Sequence, residues 1–114
     1  MPLYVFAYRA AQRDPTVPMD EVVVAWSGWF ESHGPSIVDP GLPVFERASV
    51  GEVGPSTALG GYSVVNAGDI ERAIELVRSS PALRYGGGVE VGVLAALPPE
   101  HGARRLREER PAHA

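Results

Sequence analysis

The sequence contains no cysteine and no lysine. Without cysteine there is no disulfide framework, no thiolate nucleophile and no thiolate metal cage, and a reducing cytoplasm is the expected setting. Without lysine, all ten basic residues are arginine, and fourteen acids leave a net charge of -4. A duplex-binding protein must neutralise phosphates, so this balance argues against nucleic acid as a partner. The missing lysine, beside 13 Gly and 11 Pro, reads as coding bias rather than function. Long apolar runs are missing too. The opening "MPLYVFAYRAAQRD" has no basic n-region and is too short for a signal or a span, so neither secretion nor a membrane is expected.

Histidine is scarce. Only His33 lies in the body of the chain, while His101 and His113 fall near its end, and no pair has helix-ligand spacing, so no metal site is expected. A G-x-S-x-G elbow is absent. The glycine-rich "LGGY" and "YGGGVEV" precede strands instead of opening helices, which disfavours a phosphate cradle; no cofactor is expected.

What is present suits one soluble domain. The 114 residues are 45% hydrophobic and 21% charged, enough for a single core and too apolar for disorder. The domain is expected over residues 1–97. From Pro98 the text "PPEHGARRLREERPAHA" has one leucine and no apolar stripe, so residues 98–114 read as a polar, mobile tail, with a partner-binding arm as the alternative.

Within the body, "LYVFAYR" (3–9) reads as a strand. Pro18 suits the first position of a helix whose first turn holds Asp20 and Glu21, favourable to the helix dipole. Val22, Val23, Trp26, Trp29, Phe30 and His33 then recur at steps of three and four, which makes one apolar stripe ending at Gly34-Pro35. "PVFERASV" (43–50) predicts a second strand and "GYSVVNA" (61–67) a third. Asp69 is placed to cap a helix over "IERAIELVRS" that stops before Pro81, and "GVEVGVLAAL" (88–97) predicts the fourth strand.

The order βαββαβ implies an α+β, ferredoxin-like fold, an antiparallel four-stranded sheet with two helices on one face. The first strand is apolar at both parities: Leu3, Val5 and Ala7 on one side, Tyr4, Phe6 and Tyr8 on the other. A sheet with one wet face would alternate cleanly, so a second copy is expected to cover the helix-free face, giving a homodimer.

Two longer patterns carry a resemblance. "WxxWFxxxGxxxVDPGxP", from Trp26 to Pro43, and "GGYSVVxAxxIxxAxELxxxxPxLxxGGGVEV", from Gly60 to Val91, closely resemble the YCII-related group, which includes the DGPF-type proteins. The likeness spans about residues 3–97 and implies a dimeric α+β barrel. The chain lacks the Asp-Gly-Pro-Phe motif itself, with "VGEVGPSTALGG" in its place. The histidine of lyase-like relatives aligns near Val23 or Val24, so their chemistry does not transfer.

The candidate site residues each have two readings. Trp26 and Trp29, with Tyr62, would line a ligand pocket, yet an aromatic stripe at helical spacing is more often core. His33 and Asp39 flank the helix-to-strand turn as a conceivable acid/base pair; the simpler account has His33 at a helix C-terminus and Asp39 bonding turn amides. Glu90, odd in an apolar strand, would serve as a general base or pair with Arg9 or Arg47 across the sheet. Arg9 would capture an anionic ligand or simply end an exposed strand. Three functions follow: a YCII-related homodimer binding a small molecule without a catalytic dyad, a cofactor-independent lyase or isomerase using Glu90, His33 or Asp39, or a regulatory module binding another protein. Whether the chain is an enzyme is left open by its sequence.

Overall fold

In a computed structural model, residues 2–12, 14–54 and 58–95 are described. Leu3–Ala10 form β1, whose alternation decides the architecture. Tyr4, Phe6 and Tyr8 point to one face and are buried, while Leu3, Val5 and Ala7 point to the other and are half-buried or exposed. Helix α1 spans Met19–Ser32. Pro18 is its N-cap in extended conformation rather than its first helical residue, one position off expectation. A 3-10 turn at Gly34–Ser36 leads into β2, Ile37–Asp39.

The second strand is the main departure from the sequence reading. It lies at Ile37–Asp39 and not at 43–50, where only Pro43 makes a bridge, to Gly61. Pro40 and Pro43 have no N–H to donate, so the edge strand breaks between them. Beyond Val44, whose amide donates to the Gly60 carbonyl at 3.0 Å, the chain leaves the sheet. Phe45 is 82% exposed there. Its strand-like composition found no neighbouring strand to pair with.

Strand β3, Ala58–Asn66, begins three residues earlier than expected. Helix α2, Ile70–Arg78, is capped as its sequence requires: Asp69 Oδ1 accepts from the Arg72 amide at 2.8 Å. Pro81, expected as a stop, opens a further short helix, α3, Pro81–Arg84. Strand β4 covers Gly88–Leu94. The tail expected over 98–114 lies outside the described residues.

The four antiparallel strands are ordered β2-β3-β1-β4, the ferredoxin-like arrangement. In register, Phe6 sits between Ser63 and Val91, and Tyr4 between Val65 and Val93. The core lies between this face and the helices: Phe6, Val65 and Ala73 are fully enclosed, with Tyr4, Tyr8, Trp29, Ala67 and Val77 around them. Trp29 is 6% exposed, and its indole Nε1 donates to Ser79 Oγ at 3.2 Å, tying α1 to the end of α2. No helix among the described residues is long and apolar enough to cross a membrane.

Candidate functional site

The end of the sheet where β1 stops carries an apolar cleft of about 730 Å³, within the range of small-molecule sites. The floor is the end of β1, with Tyr8. One wall is α1, which presents Trp26 and Phe30; the opposite wall is the loop after β2, residues 40–43, laid against the Gly61–Tyr62 stretch of β3; α3 and Tyr85 close the third side. The aromatic groups support one another. Tyr8 meets Trp26 edge-on at 4.7 Å between ring centroids, and Trp26 packs on Phe30 at 5.7 Å.

The wall after β2 is held by bonds that explain its sequence. Asp39 Oδ1 accepts from the Gly41 amide at 2.8 Å, an Asx turn. Gly41 has a φ of +72°, and a side chain there would collide with the Tyr62 carbonyl, so glycine is required on both counts. Tyr8 Oη donates to Ser63 Oγ at 2.9 Å, and Ser63 Oγ donates to the Pro40 carbonyl at 2.8 Å. This chain pins the turn to the sheet through a fully buried serine. Burial pushes the Tyr8 phenol up to about 12, outweighing the opposing effect of the Ser63 bond, so the hydroxyl stays protonated at neutral pH.

The sequence candidates separate in space. Arg9, Trp26 and Tyr62 line the cleft. Trp29 stands behind them in the core. His33 receives α1's last turn, its amide donating to the Trp29 carbonyl, and its ring lies 5.2 Å from that of Trp29. It faces a different, more polar groove of about 580 Å³ with Arg72 and Glu75. Asp39 lines neither cavity; its carboxylate serves the turn. Glu90 is exposed on the helix-free face, opposite Ala7, and also lies outside both cavities. Arg9 stands opposite Gly88 and Leu59, diagonal to Glu90, and Arg47 donates to the Val44 and Leu59 carbonyls at 3.1 and 3.2 Å.

Sequence reasoning missed several cleft residues. Tyr8 was legible only as a strand residue, because its place at the sheet end depends on where β1 stops. Phe45 was assigned to a strand that does not form. Tyr85 and Arg84 come from α3, which the reading of Pro81 as a terminator concealed.

Chemically, the cleft offers ring faces and edges for a flat molecule, a protonated phenol in its floor, and charged groups from Arg9, Arg84 and Asp14 around it. Asp14 Oδ1 accepts from the amide and hydroxyl of Thr16 at 2.9 and 2.7 Å.

No protein-family model and no curated protein matches this sequence. Among solved structures, the chain is similar to 5-chloro-2-hydroxyhydroquinone dehydrochlorinase (TftG) from Burkholderia phenoliruptrix AC1100, in complex with 2,5-dihydroxybenzoquinone. The TM-score is 0.53 at 17% identity, over 87% of this chain and 97% of that one. At that identity the likeness shows a shared fold, an α+β ferredoxin-like domain.

Proposed function

We propose that this chain is a cytoplasmic YCII-related protein that works as a homodimer and binds a small, flat, largely apolar molecule in the cleft at the end of β1. The observation that carries this reading is the cleft itself, where Tyr8, Trp26 and Phe30 meet around about 730 Å³. Two independent lines support the family: the pattern from Trp26 to Val91 and the fold shared with the dehydrochlorinase. That enzyme's complex contains a flat ring, a ligand shape this cleft suits as well.

Binding rather than turnover is favoured by the dispersal of the acid/base candidates. His33, Asp39 and Glu90 all lie outside the cleft, and the phenol in its floor holds its proton too tightly to act as a base near neutral pH.

Support for the homodimer comes from the helix-free face. Leu3 (38% exposed), Tyr62 (39%) and Leu94 (45%) surround half-buried Val5 and Val64 there. A second copy would remove this apolar surface from water.

The test is thermal. In a melting-temperature screen of flat ring compounds, the full chain should be stabilised by at least one, and Trp26→Leu should abolish the shift while leaving the unliganded melting temperature close to that of the parent. No shift from any compound, or shifts that survive Trp26→Leu, would rule the cleft out.

A further inference from the structure

Resting on the reading of the cleft as a binding site, we propose that Phe45 is a ligand contact completed only in the bound state. Its ring, held in water at the mouth, swings inward and covers the outer face of a flat molecule seated against Trp26 and Phe30. Small-molecule sites bury roughly 70–90% of their ligand's surface. The cleft has a floor and three walls, so a flat molecule inside it keeps one face in water unless a side chain at the mouth closes over it. Phe45 lines the cleft and is nonetheless 82% exposed, an uncommon state for a phenylalanine.

The surface facing it is apolar as well. On α1, Met19, Val23, Trp26 and Phe30 follow at steps of four, three and four and line the cleft from one helix face. Trp26 and Phe30 are half-buried, with Tyr8 and Trp29 against them, whereas Met19 and Val23 are exposed. Closing over a ligand therefore withdraws apolar surface from water on both sides of the mouth, Phe45 on one and Met19 with Val23 on the other.

The backbone beneath Phe45 is tied down while its ring is not. The Val44 amide donates to the Gly60 carbonyl at 3.0 Å, and Arg47 Nη1 donates to the Val44 and Leu59 carbonyls at 3.1 and 3.2 Å. Both sides of residue 45 are thus bonded to the start of β3, beside the cleft. From Phe45 to Gly54, Arg47 alone makes a hydrogen bond or ion pair among the described residues. The motion required is rotation about the side-chain bonds of Phe45, between staggered positions, with Arg47 as the residue that positions the pivot.

Fluorine spectroscopy of the full chain labelled with fluorophenylalanine tests this, because there are only three phenylalanines and substituting Phe45 identifies its line. Without ligand that line should shift between light and heavy water, as an exposed ring does, and at saturating naphthoate most of this solvent shift should be lost. In calorimetric titration Phe45→Ala should weaken naphthoate binding by roughly fivefold to thirtyfold with no change in the unliganded melting temperature, and Phe45→Tyr should bind as the parent does. A solvent shift that persists at saturation, or parent affinity in Phe45→Ala, would overturn the covering role, while binding still abolished by Trp26→Leu would leave the cleft reading intact. Failure of naphthoate to bind the parent chain would instead count against the cleft reading and remove the covering role with it.

Discussion

Trp26 and Trp29 sit three residues apart on one helix and do different work. Trp29 is enclosed and hydrogen-bonded to Ser79, so Trp29→Ala should cost about 3 to 5 kcal/mol in chemical denaturation, as expected for a large buried aromatic. Trp26 is half-buried and faces the cleft, so Trp26→Leu should be far milder. Equal losses from the two substitutions would contradict this division. Periodicity could not separate them, because both belong to one apolar stripe; the difference arises in the fold, where Trp29 is enclosed in the core and bonded to Ser79 while Trp26 lines the cleft. Tyr8 makes a pH prediction. Its folded pKa is raised to about 12 from 10, so above pH 10 the unfolded chain releases this proton while the folded one keeps it. Stability from this group is therefore complete below pH 10 and falls as pH rises towards 12. In Tyr8→Phe that part of the alkaline loss should vanish; an unchanged profile would mean the phenol is not buried as described. Ser80 behaves oppositely to Ser63: its hydroxyl is buried without a hydrogen-bond partner among the described residues. Ser80→Ala should be neutral or stabilising by up to about 1 kcal/mol, whereas Ser63→Ala should destabilise.

Among the elements, those with explicit local signals were readable in advance. Asp69 capped α2 as its position before "IERAIELVRS" suggests, and the two-sided pattern of "LYVFAYR" located β1 with one face under the helices. The elements that were misread depended on pairing rather than pattern. Residues 43–50 have the composition of a strand, but an edge strand exists only where its amides meet a partner, and Pro40 and Pro43 interrupt that ladder. Pro81 has two legitimate uses, ending one helix or starting the next, and its sequence context does not choose between them. The turn Asp39–Gly41 joins these cases, since its tether to Ser63 spans the sheet and is invisible locally. Gly41→Ala should destabilise by more than about 1 kcal/mol, through both the φ of +72° and the collision with the Tyr62 carbonyl. A neutral result in thermal unfolding would show that the turn relaxes freely.

At the scale of the whole molecule, the sheet has a covered face and an uncovered one, and the cleft lies at the end where they meet. Tyr62 belongs to both, pointing away from the helices while lining the cleft. The proposed dimer should sediment at twice the 12.1 kDa of one chain at micromolar concentration, and Val64→Asp, on the uncovered face, should return it to the monomer. A single chain mass for the parent would remove the second copy from the account. The cleft's function is tested most directly by the two tryptophan indole N–H resonances, since the chain has only Trp26 and Trp29 and substituting either one assigns the pair. Titrating naphthoate into the nitrogen-labelled protein should shift the Trp26 resonance progressively and to saturation, with a much smaller change at Trp29, shielded in the core and bonded to Ser79. A silent Trp26 resonance, with shifts appearing instead around the polar groove of His33 and Arg72, would contradict the account by placing the ligand elsewhere.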